Sequence, residues 1–530
     1  MKNAIFRCLL AALLMLGVCA AQAAPAPTTL IRATDAGPVR GVDQGRLIAW
    51  MGIPYAAPPI GERRWAPPQV PQPWAAPRDA SAYGNFCPQN ADLGVFGQPG
   101  GAEDCLNLNV FVSKDAQRSG AKLPVFVWIH GGSLWVGAGR DYDPSQLAIQ
   151  GKAVVVTFNY RLGLLGFFAH PALRAEGQPL ANYGFMDQQL ALDWVQRNIA
   201  AFGGDPSNVT ISGESSGGGS VLLHVAAPGS AGKFQHAIAM SGAAVALRHP
   251  AFGAPRPLAS AGQQGQAFAN AAGCAHATDA ATLACLRRLP AATILATQTP
   301  YLINQAILDG QVLPMHPADA LRTGQFNRVT LVNGTTGDEG AFFTGLAENA
   351  SGKPMDDADY AAAMRFYFGT LADAVAQQYP VDKFATPSDA VAASVTDMLF
   401  ACPARAVNRW TAAHTPTYAY EFSDRTAPSY LKPTSFAMGA AHTLELAYLF
   451  PGFHGGAGMP VSLNPMQSRL AEQMVQLWTT ADQATHRETT WPRYQAAQDN
   501  FLNLTLPQAR MATGFGAGHQ CSFWDQAGIY

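Results

Sequence analysis

The chain carries little charge for its size. Asp, Glu, Lys and Arg make up only 13% of its 530 residues, and the formal net charge is −2. Tandem repeats, low-complexity tracts and long runs of like charge are also missing from the sequence. Proteins that bind nucleic acid or anionic membrane surfaces usually carry a basic patch, so we expect no nucleic-acid partner. The 48% hydrophobic content is instead typical of a globular protein with a large core.

The chain also lacks the C-x-x-C motif and any cysteine with a histidine at metal-binding spacing, so we expect no metal site. Two of its eight cysteines, Cys8 and Cys19, lie near the N-terminus. The other six are Cys87, Cys105, Cys274, Cys285, Cys402 and Cys521. An even number of cysteines in an exported chain is typical of disulfides, but the spacing alone does not choose their pairing.

The N-terminus has the pattern of a secretory signal peptide. Residues 1–7 include two basic residues, Lys2 and Arg7, and residues 8–19 are apolar. The small residues Ala21 and Ala23 form a cleavage site after Ala23. We therefore expect a signal peptide over 1–23, a secreted or periplasmic protein, and one domain over 24–530. A transmembrane anchor is the alternative, but the apolar stretch is short, and we expect none. Lipidation at Cys19 is a further alternative, disfavoured because Val18 is bulky for the residue before a lipidated cysteine.

A G-x-S-x-G motif is centred on Ser215. The β-branched run at 208–211 predicts a short buried strand before it, and residues 220–225 can begin a helix after it. Strand, tight turn and helix together are the context of a nucleophile elbow, which predicts Ser215 as a nucleophile. The alternative is a glycine-rich turn with no chemistry, because a glycine-rich chain produces this motif by chance.

Strands alternate with helices along the rest of the chain, which predicts an α/β fold with a doubly wound, mostly parallel central sheet and helices on both faces. The alternation is clearest before Ser215. Apolar runs at 124–129 and 153–160 predict buried strands, and the helical spacing at 187–199 predicts a helix. Further strands are predicted at 237–240, 329–333 and 418–422, with a helix at 466–479.

A serine nucleophile needs a histidine base that is oriented by a carboxylate. In an α/β hydrolase the acid and then the histidine follow the serine. Residues 330–340 predict a strand that runs into a turn with two adjacent carboxylates, Asp338 and Glu339, of which one can face the site. The candidate histidines are His414, His442, His454, His486 and His519. Chemistry alone does not choose among them.

Several motifs in the same order resemble the type-B carboxylesterase family, the relatives of cholinesterases. They lie at 101–110, 159–163, 202–206 and 213–218, and the likeness extends from residues 52–56 to residues 521–524. The resemblance implies an α/β-hydrolase fold that hydrolyses small-molecule carboxylic esters through an acyl-enzyme, with no cofactor.

Carried over residue by residue, the resemblance implies a triad of Ser215 as nucleophile, Glu339 as acid and His442 as base. Glu445 would then be a supporting neighbour of His442. The backbone N–H groups of Gly132, Ser133 and Ser216 would form the oxyanion hole, although many members have glycine in place of Ser133. Leu134 and Trp135, just past this loop, would line the substrate pocket.

The resemblance also implies structural features. Arg64 and Glu103 would form a buried ion pair. The implied disulfides are Cys87–Cys105, Cys274–Cys285 and Cys402–Cys521.

The sequence departs from the family pattern in two places. The segment between Cys87 and Cys105 has no Trp, whereas cholinesterases place a choline-binding Trp there, and Phe96 is its only large aromatic residue. Residues 479–486 lack the usual phenylalanine and glycine pattern.

Two other functions remain open at this point. Adhesion proteins of the cholinesterase group share the fold but lose triad residues, whereas this chain has all three. An amidase or lactonase would keep the triad, because the triad does not reveal the leaving group.

Overall fold

The computed structural model describes residues 30–530, except 92, 178–180, 249–252, 300–304 and 481–490. The predicted signal peptide therefore lies outside the described residues, as does most of the segment after Trp478 that departs from the family pattern.

A large mixed sheet forms the centre of the fold. Within the described residues it has 11 strands in the order β16-β15-β14-β13-β10-β9-β7-β8-β6-β4-β3. The strands are β1 (Ile31–Ala33), β2 (Pro38–Arg40), β3 (Val42–Gln44), β4 (Leu47–Pro54), β5 (Arg78–Asp79), β6 (Asn107–Ser113), β7 (Leu123–Ile129), β8 (Val154–Phe158), β9 (Gly204–Glu214), β10 (His236–Met240), β11 (Arg256–Pro257), β12 (Ile307–Leu308), β13 (Thr330–Thr336), β14 (Thr417–Phe422), β15 (Phe501–Leu504) and β16 (Arg510–Ala512).

The middle of this sheet is parallel and its edges are antiparallel. Strands β8, β7, β9, β10, β13, β14 and β15 pair in parallel, and β16, β6, β4 and β3 continue the sheet in antiparallel pairs. In register, Glu214 lies opposite Met240, and Met240 lies opposite Gly334. The carboxyl ends of β9, β10 and β13 therefore meet at one edge, where an active site is expected in such a sheet.

Helices cover both faces of the sheet. They are α1 (Lys114–Arg118), α2 (Ser145–Ile149), α3 (Gly163–Gly166), α4 (Tyr183–Asn198), α5 (Ser216–Ala226), α6 (Leu258–Ala271), α7 (Asp279–Arg288), α8 (Ala291–Gln298), α9 (Pro317–Thr323), α10 (Gly340–Ser351), α11 (Asp357–Phe368), α12 (Ala372–Gln378), α13 (Pro387–Val395), α14 (Cys402–Thr411), α15 (Pro465–Thr479), α16 (Phe515–Gly518) and α17 (Cys521–Ala527).

The side chains of β7 show why both faces are covered. Val125, Val127 and Ile129 pack in one hydrophobic cluster with α4 and α5, whereas Phe126 and Trp128 pack in a second cluster with α15. Because successive side chains of a strand point to opposite faces, a strand that is apolar throughout must be buried on both sides. The predicted doubly wound fold is confirmed.

The helical stretch Pro387–Thr411 is long and apolar enough to cross a membrane. However, 89% of its most apolar 18-residue segment is buried inside the fold, which indicates a core helix. Its middle, Thr396–Ala401, is a π-helix between α13 and α14. A π-helical turn rotates the residues that follow it, and such turns are frequent at functional sites.

The structure contains the ion pair and the three disulfides that the resemblance implies. Arg64 donates to both oxygens of Glu103, with Nε 2.7 Å from Oε2, and to backbone carbonyl groups at the end of α7, such as that of Leu289. It therefore joins an N-terminal loop to a distant helix. The disulfides in the structure are Cys87–Cys105, Cys274–Cys285 and Cys402–Cys521.

Candidate active site

Ser215 sits on a tight turn between β9 and α5. Its backbone has φ 59° and ψ −126°, which non-glycine residues rarely adopt, and its N–H donates to the Met240 carbonyl oxygen at 2.9 Å. A Cβ on Gly217 would lie 2.1 Å from the Ile129 carbonyl oxygen, so only glycine lets the turn approach β7 this closely. The predicted strand, turn and helix are therefore present, and Ser215 lies at the start of α5.

The loop after β7 lies beside this turn. Gly132 has φ 98°, and a Cβ there would lie 2.3 Å from the Val136 carbonyl oxygen. Ser133 and Leu134 also have positive φ values, 58° and 57°, although neither is glycine. The Leu134 N–H donates to Ser216 Oγ at 3.1 Å and so ties the loop to the turn. The loop can therefore present its N–H groups toward the side of Ser215.

His130, at the end of β7, supports this loop as a neutral group. Burial lowers its pKa to about 4, although its hydrogen bond to the Gly131 carbonyl acts in the other direction. Nδ1 lies 2.9 Å from the Gly131 oxygen, and the ring stacks on Tyr160 with the centroids 4.3 Å apart. The Tyr160 hydroxyl in turn donates to the His130 carbonyl at 2.7 Å. Tyr160 therefore holds both the ring and the backbone carbonyl group of His130.

Glu339 and His442 meet at the carboxyl end of β13. His442 Nδ1 lies 2.5 Å from Glu339 Oε2. The other oxygen of Glu339 accepts hydrogen bonds from the Thr336 N–H, at 2.8 Å, and from the Thr335 hydroxyl. Both side chains are buried. This pair is the one that the resemblance implies, whereas Asp338 points away and pairs with Arg425.

Aromatic rings fix the plane of the imidazole. The centroids of Phe400, Phe343 and Phe342 lie 4.9, 5.2 and 5.8 Å from that of His442. Phe400 comes from the π-helix and also lines a cavity with Ser215. The π-helix thus helps to build the site, which periodicity in the sequence does not reveal.

Two further buried carboxyl groups, Glu214 and Glu445, interact electrostatically with Glu339. Glu214 Oε1 lies 3.2 Å from His442 Nε2, but the two atoms are not aligned for a hydrogen bond. Both oxygens of Glu445 are buried without a hydrogen-bond partner among the described residues. The sequence singles out Glu445 as a neighbour of His442 but not Glu214. The only available signal for Glu214 was its position directly before Ser215.

These carboxyl groups differ in charge. Burial acts to raise the pKa of Glu339, but the His442 charge and hydrogen bonds from His442 and Thr335 bring it below its ordinary value. Burial and the charges of Glu445 and Glu339 raise the pKa of Glu214 well above its ordinary value. Burial and the Glu339 charge do the same for the pKa of Glu445. The pKa of Glu339 is thus shifted in the opposite direction from the pKa values of Glu214 and Glu445, which favours ionisation of Glu339 over that of its two neighbours.

Ser215 opens onto a largely apolar cavity. Ser133, Leu134, Ser216, Leu399 and Phe400 are among its lining residues. Trp135 instead packs, partly buried, against the hydrophobic cluster on the α15 face of the sheet. Within the described residues, no hydrogen bond joins Ser215 Oγ to His442; catalytic hydrogen bonds are often long before substrate binds. The structure thus brings the predicted serine, acid and histidine to one edge of the sheet.

The only large aromatic residue between Cys87 and Cys105 does not reach this cavity's lining. Phe96 is 8% exposed and packs against Phe342, Tyr430 and Phe453, with centroids 5.7, 6.1 and 6.2 Å from its own. Three other aromatic side chains therefore cover the Phe96 ring.

The comparisons with known proteins place these residues in a family. The family model described as the carboxylesterase family matches residues 28–524. The chain belongs to the carboxylesterase family. The resemblance that the motifs indicate is confirmed.

Named relatives agree with this assignment. The para-nitrobenzyl esterase of Bacillus subtilis (strain 168) is 34% identical over 487 residues, which are 88% of this chain and 93% of the relative. The acylcarnitine hydrolase of Mus musculus is 33% identical over 541 residues, covering 92% and 91%. The solved structure of a thermophilic PNB esterase has a TM-score of 0.78, 32% identity, and coverage of 93% of this chain and 100% of its own. This carboxylesterase is a hydrolase that acts on ester bonds.

The opposite pKa shifts of the three carboxyl groups predict different effects of amide substitution on turnover. An amide resembles a protonated carboxyl group but not an ionised one, so Glu214→Gln and Glu445→Gln should each keep kcat within about tenfold of the parent. Glu339→Gln should lower kcat by about 10³-fold or more, because the amide no longer stabilises the imidazolium. The measurement is steady-state hydrolysis of p-nitrophenyl butyrate by the purified variants. Equal losses in all three would mean that the ionised carboxylate is misassigned.

Proposed function

We propose that this chain is a serine carboxylesterase with a triad of Ser215, Glu339 and His442. The observation that carries the proposal is the 2.5 Å contact between His442 Nδ1 and Glu339 Oε2. Because Glu339 accepts from Nδ1, Nε2 of the neutral ring is left without a proton and can act as a base. Ser215 lines the cavity next to Phe400, whose ring packs on the imidazole.

In the proposed reaction, Ser215 Oγ attacks the ester carbonyl carbon while His442 Nε2 accepts the hydroxyl proton. His442 then gives this proton to the leaving alcohol, and an acyl-enzyme remains on Ser215. Water, deprotonated by His442, then attacks the acyl carbonyl carbon, and His442 returns the proton to Ser215 Oγ as the bond to Ser215 breaks and the carboxylic acid leaves. Glu339 stabilises the imidazolium that forms in both halves of the reaction.

The backbone N–H groups of Gly132, Ser133 and Ser216 are the proposed oxyanion hole. Two of them lie in the loop that the Leu134 N–H ties to the Ser215 turn, and the third opens α5. The first N–H groups of a helix have no partner within it, so the Ser216 N–H is available to an anion. The side chain at position 133 does not alter the backbone donor.

The substrate is proposed to be a small-molecule carboxylic ester. Apolar lining residues, Leu134, Leu399 and Phe400 among them, suit an uncharged acyl or alkyl group. Relatives are named for hydrolysis of para-nitrobenzyl esters, acylcarnitines and fumonisin B1, so the family fold accepts diverse esters. A non-catalytic adhesion role is disfavoured because all three triad residues are present. Amidase or lactonase activity is tested by offering amides and lactones beside the esters.

We also propose that the protein is exported and acts as one domain over 24–530. Three disulfides suit an oxidising compartment, and the basic and apolar start of the sequence suits a signal peptide. The strands of the main sheet run from Val42 to Ala512, which favours one folding unit.

The role of Ser215 is tested by substitution and labelling. Ser215→Ala should lower kcat by several orders of magnitude, because the proposed acyl-enzyme forms on Ser215, and should leave the fold intact. An organophosphonate should label Ser215 in the parent, as shown by peptide mapping. Ser207→Ala, at the other end of β9, is the matched control and should behave as the parent. Near-normal turnover by Ser215→Ala, or labelling at Ser216, would reject the assignment.

The packing of Phe96 predicts weak recognition of choline. A cation over an aromatic face gains about 1–2 kcal/mol when it is desolvated, but the Phe96 ring is covered by three other rings. Butyrylcholine and its uncharged isostere, 3,3-dimethylbutyl butyrate, should therefore have similar kcat/KM values. A preference for the cation above about tenfold, or about 1.4 kcal/mol, would show that another aromatic side chain forms a cation site.

A further inference from the structure

We propose that Asp338 is a positioning residue that fixes the His442 loop against the turn carrying Glu339. This inference rests on the proposed triad, because its effect on catalysis is exerted through His442. Asp338 itself contacts neither Ser215 nor the imidazole in the structure; its carboxylate faces Arg425 and the backbone of Ala440.

Asp338 bonds to Ala440 in both directions. Its N–H donates to the Ala440 carbonyl at 3.0 Å, and its Oδ2 accepts the Ala440 N–H at 2.9 Å. Gly439 makes this approach possible, because it has φ 58° and a Cβ there would lie 2.4 Å from Oδ2. Both polar groups of the Ala440 backbone are therefore held by one residue.

The order of residues in the two chain segments places this contact next to the proposed acid and base. Glu339 directly follows Asp338, and His442 follows Ala440 after one intervening residue. The two segments are thus joined at Asp338–Ala440 and again at Glu339–His442. On the other side of His442, the Tyr430 hydroxyl bonds to the Thr443 hydroxyl. The chain is therefore hydrogen-bonded on both sides of His442: Asp338 bonds to Ala440 before it, and Tyr430 bonds to Thr443 after it.

Accepting the Ala440 N–H is the essential contribution of Asp338, rather than its charge. Arg425 lies 3.0 and 3.1 Å from the carboxylate oxygens, but its side chain is 74% exposed. Exposed ion pairs contribute little because water screens them. An asparagine can still accept the Ala440 N–H, whereas an alanine cannot.

Asp338, Gly439 and Arg425 line a cavity of about 810 Å³ on this side of the loop, whereas Ala440 and Ala441 are buried in the hydrophobic cluster on the α15 face of the sheet. Without the carboxylate, the Ala440 N–H would lose its acceptor beside this cavity, and only the bond from the Asp338 N–H to the Ala440 carbonyl would remain. A shift of about 1 Å in a catalytic group can cost about 10²-fold in rate, so loss of the hold should be visible in turnover.

The experiment compares Asp338→Ala, Asp338→Asn and the parent. Asp319→Ala is the matched control: Asp319 is also partly exposed and paired with arginines, Arg248 and Arg322, but it lies on α9 and has no bond to the triad segments. Active sites are titrated with an organophosphonate, so that kcat is expressed per competent site and misfolded protein is not counted. KM and the melting temperature are measured for each variant.

We expect Asp338→Ala to lower kcat per titrated site by about 10- to 100-fold with KM within about twofold. Asp338→Asn should restore kcat to within about threefold of the parent, and Asp319→Ala should match the parent. A kcat for Asp338→Ala within threefold of the parent would overturn the proposal, as would an equal loss in Asp338→Asn. These outcomes are separate from failure of the triad, which would appear as activity in Ser215→Ala.

Discussion

The site depends on the hydrogen bond between a buried ionised carboxylate, Glu339, and a buried imidazole, His442. Burying a charge is unfavourable unless it is paired and hydrogen-bonded. The end of β13 meets this requirement, since the Thr336 N–H and the Thr335 hydroxyl both donate to Glu339. Like charges nearby would oppose it, and the raised pKa values of Glu214 and Glu445 favour the neutral form of those groups. In the proposed triad, the Glu339 charge at Nδ1 favours the tautomer that leaves Nε2 free to accept a proton.

Near this pair, three non-glycine residues have backbone conformations that such residues rarely adopt. Ser215, Ser133 and Leu134 have positive φ values without being glycine, and such conformations persist only where surrounding contacts impose them. The close approach of Gly217 to β7 and the bond from Leu134 N–H to Ser216 Oγ supply those contacts. The sheet thus holds the serine turn and the loop after β7 in fixed relative positions, as the proposed oxyanion hole requires.

Much of the fold was predictable because its signals are local. The apolar runs at 124–129 and 418–422 became β7 and β14, and the helical spacing at 187–199 and 466–479 became most of α4 and α15. Strand β9 was underestimated, because Gly204 and the residues after it do not have strand composition. Ser215, Glu339 and His442 were selected as the candidate triad through motif resemblance, whereas the residues alone left Asp338 and Glu339 open, because the choice depends on the direction of two adjacent side chains. Glu214 and the cavity wall at Leu399 and Phe400 were not predicted, since both depend on contacts between distant segments and on a π-helix.

The most direct test of the account concerns the proton on His442 Nδ1. A short hydrogen bond to an ionised carboxylate strongly deshields its proton, so the parent enzyme should show an exchange-protected, low-field resonance in its ¹H NMR spectrum. We expect this resonance to persist in Glu214→Gln and Glu445→Gln and to disappear in Glu339→Gln. Its persistence in Glu339→Gln, or its loss in Glu214→Gln, would contradict the claim that Glu339 alone carries the charge that orients the base.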